Sequence, residues 1–347
     1  MRGKGLVISF NWIFVLIAGG LILAFFYSLA RTHIETSTVK TARKVVSNFK
    51  IVLKTALASP KTVKKVKIPD FGISFYCRDN TSYYSVKGVS QDSDLDVIFS
   101  LKNFKHETIL LVVEPWILGF QVTNFGLITS KAHAFIFLNL TPEMALLKAE
   151  LPEELPVFVY NQSSINSSEL PKGFDFYTII AQQPSGVSLT PGGLAEPREN
   201  VKLLVFDPSP DFFNGTVMFY KGSKFNAWIG QGSSGFVGLP MAMGALFSQD
   251  KQFYDCNVRK ALKHLQVVAS VYSKKVWLMT SSTPFSSDCS LIYSMTSGFA
   301  GILNDLKTFT QANELLTPTN QGDLASIAKT LTFTNQVAVG SACPPLY

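Results

Sequence analysis

The sequence predicts a mixed-sheet head of the α/β or α+β class with packed C-terminal helices, preceded by an N-terminal transmembrane helix that continues into an amphipathic stalk. Three observations carry that expectation. Residues 6–29, LVISFNWIFVLIAGGLILAFFYSL, hold no charged group. The residues after them repeat apolar side chains at helical intervals, with basic residues on the other side. From Ile68 onward, short β-rich runs alternate with helical stretches, as in a sheet covered by helices. With 347 residues, 47% of them apolar and only 16% charged, the chain can bury a sizeable core. A disordered tail, a collagen-like fibre and a small disulfide knot are excluded.

As a helix, residues 6–29 would measure about 36 Å, enough to cross about 30 Å of hydrocarbon. Trp12 and Tyr27 stand near opposite ends, where amphipathic rings favour the interface, and Asn11 is the one costly residue. Gly20-x-x-x-Ala24 permits close helix approach. Arg2 and Lys4 form a basic start and Ser28-Leu29-Ala30 has the form of a cleavage site. The apolar run nevertheless exceeds the roughly 7–15 residues of a secretory signal, so an uncleaved anchor is expected.

The opening MRGKGLVISFNWIFVLIAGG, a short Arg/Lys/Gly leader running straight into an apolar helix, resembles the type IV pilin and archaellin superfamily. Its SFNWIF stretch is similar to that of uncharacterised archaeal single-span membrane-anchored proteins with large extracytoplasmic heads. The resemblance covers roughly the first sixty residues and implies a location and a layout, with no activity attached. It implies leader cleavage after Gly3 or Gly5. Pilins usually carry Glu five residues into the mature chain, whereas a cut after Gly5 puts Phe10 there.

The first 67 residues hold twelve basic side chains against one acid, Glu35, whereas the remainder carries 19 basic and 23 acidic groups. The alkaline character therefore belongs to the N-terminal part, and a nucleic-acid partner is not expected. Within the stalk, residues 31–67, Ile34, Ala42, Val45, Phe49, Val52 and Ala56 recur at mostly three- and four-residue intervals. Lys40, Arg43, Lys44, Lys50 and Lys54 take the opposite side. One helix running to Ser59, stopped by Pro60, is expected. Its apolar face would cover the protein's own head or bundle with other copies or envelope proteins, or the helix would dock onto the anionic headgroups of a lipid bilayer through its basic face. Arg31, Lys40, Arg43 and Lys44 after the span outweigh Arg2 and Lys4 before it, which favours an inward head. The signal-like start, cysteines and sequons favour an extracytoplasmic one, and the latter is the reading taken.

The head, residues 68–347, divides into a sheet-rich 68–239 and a helical 240–347. Strands are expected at 73–77, 83–86, 96–100, 108–113, 134–138, 157–160, 176–180, 201–206, 216–220 and 227–230, and helices at 142–150, 240–249, 251–274, 290–317 and 324–332. Thr141, Pro142 and Glu143 form a helix start, and Pro318 a stop. Tyr254, Val258, Ala261, Leu262, Leu265, Val268 and Tyr272 make one buried stripe; Met295, Phe299, Ile302, Leu306 and Phe309 make another. Residues 184–200, rich in Pro and Gly, read as a long loop.

Four cysteines, Cys77, Cys256, Cys289 and Cys343, lack any zinc spacing and suit disulfides in an oxidising compartment. Cys256 with Cys289 and Cys77 with Cys343 is one of three possible connectivities; buried thiols are the alternative. Sequons at Asn80, Asn139, Asn161, Asn166 and Asn214 hint at exposed, glycosylated loops. Gly230, Gly232 and Gly235 satisfy G-x-G-x-x-G, with Asp250 at a tolerable distance for a ribose acid. Gly238 and Pro240 interrupt the stretch where the helix should already run, so a glycine-rich connection is preferred to a nucleotide site. His33, His106, His133 and His264 show no metalloprotease spacing, and no nucleophile elbow accompanies His133. Glu153 with Glu154 and Asp207 with Asp211 read as loop acids. No cofactor and no catalysis are therefore expected. The functional expectation is a membrane-anchored, pilin-like surface protein with a structural, adhesive or envelope-assembly role. The alternatives are a membrane-tethered nucleotide-binding or enzymatic domain, and an inward-facing cytoplasmic receptor.

Overall fold

In a computed structural model the chain is described over residues 4–347, apart from 69–71, 80, 95, 105–107, 162–169, 184–197, 224–226, 283–286 and 295–297; within helices, side chains 4–14, 32–38, 282 and 287–288 are also left aside. Asn80, Asn166, His106, Met295 and most of the expected 184–200 loop lie outside the described residues. So do the side chains of Asn11, Trp12, His33 and Ile34.

Helix α1 (Lys4–Leu57) runs unbroken for 54 residues. The expected transmembrane helix is corrected here: among the described residues no helix is long and apolar enough to cross a membrane. The observed fold class is thus a mixed α/β head with C-terminal helices whose first element is one continuous helix. Its last turns are held by a side chain, since Asn124 donates through Nδ2 to the orphan carbonyl of Leu57 at 2.7 Å.

Three sheets follow. The first has the order β1-β7-β8-β5, from β1 (Thr62–Lys67), β5 (Val97–Ser100), β7 (Thr108–Leu118) and β8 (Phe120–Thr129). Only its β5–β8 pair is parallel. A small antiparallel sheet has the order β4-β3-β2-β6, from β2 (Ile73–Arg78), β3 (Thr81–Val86), β4 (Val89–Asp92) and β6 (Asn103–Phe104). The largest has the order β10-β9-β11-β12-β13-β14. Its strands are β9 (His133–Leu138), β10 (Val157–Tyr160), β11 (Phe176–Gln182), β12 (Val201–Pro208), β13 (Asn214–Gly222) and β14 (Trp228–Val237). The first four of these in sheet order are parallel, and the β13–β14 hairpin is antiparallel. Helix α2 (Pro142–Ala149) starts as its sequence predicts, with the Thr141 hydroxyl accepting from the Met144 amide.

Helix α3 (Leu239–Phe247) lies inside the head, buried from Met241 through Phe247. Gly244 makes that possible: a Cβ there would fall 2.9 Å from the Phe99 ring. Helix α4 (Lys251–Ser282) buries Tyr254, Val258, Ala261, Leu262 and Leu265 on the expected stripe, with Val268 and Tyr272 packed beside them. The single helix expected at 290–317 is two, α5 (Ser287–Ile292) and α6 (Phe299–Ala312). A Cβ on Gly298, the residue before α6, would lie 2.2 Å from the Ile292 carbonyl oxygen. Helix α7 (Gln321–Gly340) completes the helical layer.

The cysteine connectivity differs from the pairing considered above. Cys77 bonds Cys256 and Cys289 bonds Cys343, with Cα separations of 6.4 and 5.7 Å. Sequence spacing could not reveal this, because it is the laying of β2 against the outer face of α4 that brings residues 179 apart together. Non-reducing peptide mapping is expected to return these two bridges. Cys77→Ala with Cys256→Ala should lower the unfolding free energy in urea by about 2–5 kcal/mol.

Candidate functional site

Helix α1 is two objects in one. Along 42–56 its positions Ala42, Val46, Phe49, Leu53 and Ala56 are buried against the small sheet and the first sheet. Phe49 meets the rings of Phe75 and Tyr84 edge-on, at 6.1 and 5.2 Å between centroids. Lys50 and Lys54 reach Asp94 at 2.8 and 3.5 Å. The Lys50 ammonium holds the Asp94 carboxyl below its usual range. Of the face read from the sequence, Ala42, Phe49 and Ala56 are buried on the head, whereas Val45 is half-buried and Val52 exposed, and Val46 and Leu53 take the remaining buried positions.

Along 15–29 the apolar side chains of the same helix are uncovered among the described residues. Leu16, Leu23 and Tyr27 are 70%, 73% and 70% exposed. Leu21, Ile22 and Leu23 occupy three successive positions about 100° apart, and all are exposed, so every face of this segment is apolar and open. Gly19 and Gly20 face empty space, where an added Cβ would touch nothing. Their lack of a side chain serves no contact within the described chain.

A second cluster has the ingredients of chemistry. The Ser93 hydroxyl lies 2.5 Å from the Lys260 ammonium and 2.8 Å from the Ser82 hydroxyl. Burial lowers the Lys260 pKa to about 8, against the opposing pull of Asp96. An amine beside a serine can activate a nucleophile. Here Ser93 donates to the Ser82 carbonyl at 3.0 Å, and Ser82, Ser93 and Lys260 are only 2%, 2% and 5% exposed. Asn257 extends the cluster by accepting from the Ile98 amide at 3.1 Å and from Ser82 at 3.2 Å. With no face of Ser93 open, the cluster is a polar bolt between the small sheet and α4. One turn further along α4, His264 lines an open cleft with Asp96, Gln121, Thr123 and Asn124. Burial raises the Asp96 carboxyl pKa.

His133 is fully buried, with Nδ1 2.9 Å from the Thr129 hydroxyl and Nε2 2.7 Å from that of Thr178. Burial drives its pKa well below the usual value. It has no room to serve as a base. Nearby, Lys202 donates to the carbonyls of Ala245, Leu246 and Ser248, closing the C-terminal end of α3. Sequence reasoning missed this buried lysine, whose signal was a charge inside a strand otherwise apolar from 201 to 206.

Gly230, Gly232 and Gly235 sit within strand β14, paired with β13, and form no strand-to-helix turn facing a phosphate. The glycine-rich connection expected there is thus a strand instead. Gly235 is required because the α6–α7 connection lies directly on it: a Cβ would be 2.7 Å from the Thr317 carbonyl oxygen. Of the sequons, Asn139 and Asn161 are exposed, whereas the Asn214 side chain is held by Gln321 at 2.6 Å. Asp211 pairs with Lys329 at 2.8 Å, and this hydrogen bond lowers its carboxyl pKa to about 2. Among the described residues no group of three His, Cys, Asp or Glu side chains could hold a metal.

Because His133 is neutral in the fold, the unfolded chain takes up this proton first as the pH falls through about 6.5. Its contribution to stability is complete above that value and is lost below it. The pH dependence of urea unfolding between pH 7 and 5 should be shallower in His133→Gln than in the wild type, by up to about 1.4 kcal/mol per pH unit. No protein family matches the chain, and neither a curated protein nor a solved structure does.

Proposed function

We propose that this protein is a cell-envelope assembly subunit of pilin-like layout, in which the projecting segment of α1 packs against the same segment of neighbouring copies. The observation that carries the reading is the uncovered apolar helix surface at 15–29, on a helix whose other end is fixed in the head. An apolar surface of that extent costs free energy in water and marks an interaction site. The segment bears no charge that would select a different partner, and its two outward glycines allow helices to approach closely. A head fixed to every rod gives each copy the same orientation, which suits an ordered array. The two disulfides support an oxidising compartment outside the cytosol.

Side-by-side rods bring the exposed Lys40, Arg43 and Lys44 of neighbouring copies together, so assembly should grow with ionic strength. Sedimentation and negative-stain microscopy test the proposal. The wild type is expected to form oligomers or filaments, and Leu16→Glu with Leu23→Glu to stay monomeric at an unchanged melting temperature. A wild type that sediments as a monomer at tens of micromolar, in the absence of detergent, overturns it.

A further inference from the structure

A cavity of about 350 Å³ lies between α1 and the strands beneath it. Val45, Phe49 and Val52 form one wall, on one face of α1, and Val66, Ile68, Ile73 and Val86 form the other. The volume falls at the lower end of the range for small-molecule sites. Two polar residues complete the lining, Asn48 and Lys67, and both are exposed at the mouth. Among the described residues, neither side chain has a hydrogen-bond or ion-pair partner. Lys64 and Lys65 precede Lys67 on the same strand, which is the edge of its sheet among the described residues. An apolar interior with an amide and an ammonium at its opening matches an apolar chain that ends in an anion.

We propose that this cavity binds a single-chain carboxylate amphiphile, a fatty acid in its ionised form. The acyl chain fills the space between Phe49, Val52, Ile73 and Val86, and the carboxylate accepts hydrogen bonds from the Lys67 ammonium and the Asn48 amide. The site stands on the docked part of α1 and does not depend on assembly. Binding is therefore best measured on the full chain carrying Leu16→Glu and Leu23→Glu, which removes the open apolar rod as a competing surface.

Titration calorimetry with fatty acids below their critical micelle concentrations should show one saturable site. Affinity should rise about fourfold per methylene from octanoate upward until the cavity is full. Lys67→Glu should weaken dodecanoate about fivefold and leave dodecanol unchanged, since an exposed ion pair is worth at most about 1 kcal/mol. Val52→Trp, which narrows the opening, should abolish binding of both. The inference is overturned if dodecanoate shows no saturable binding, if dodecanol binds the parent chain as tightly, or if neither substitution alters the affinity.

Discussion

Docking of α1 on the head is the contact on which the rest of the molecule depends. Phe49 and Leu53 are 5% and 0% exposed. Burying side chains of this size is worth about 2–3 kcal/mol each. The ion pairs from Lys50 and Lys54 to Asp94 are half-open to solvent and belong to a class worth at most about 1 kcal/mol. Packing therefore anchors the helix, and the charges add little to it. With the lower part fixed, the upper part projects as a direct continuation of the same hydrogen-bonded rod.

The small sheet is held by two helices, α1 and α4. Helix α4 presents its inner face to the large core, and along its first half an outer face to this sheet. Cys256 and Lys260 stand four residues apart, so they share that outer face. The first makes the covalent bond to β2 and the second reaches Ser93 just beyond β4. Asn257 between them accepts from both Ser82 and the start of β5. A cluster that resembles catalytic apparatus in composition is thus explained by the need to satisfy every polar group trapped between two layers.

Much of the secondary structure was legible because it rests on local patterns. The expected strand at 157–160 matches β10 in both bounds, and the stripe on α4 is buried where its periodicity placed it. What escaped depends on distant partners. Thr62–Lys67 reads as basic and polar, yet forms a strand because β7 offers it a complete antiparallel ladder. Phe120–Thr129 contains two glutamine or asparagine residues and a glycine, and strand propensity alone does not select it. Gly126 is accepted there because Leu57 of α1 and Leu111 press on that spot, at 3.3 and 3.4 Å from a hypothetical Cβ. The uncharged character of 6–29 was plain from the sequence, yet among the described residues no helix is long and apolar enough to cross a membrane.

The wide spacing of the Cys77–Cys256 bridge bears on how the chain matures. A polypeptide delivered N-terminus first presents Cys77 well before its partner, with 179 residues still to emerge. Through that interval Cys77 has no native partner and the small sheet lacks its backing from α4. The Cys77–Cys256 bridge therefore closes only once residue 256 is in place, and any earlier bond at Cys77 has to be exchanged before β2 is tied to α4.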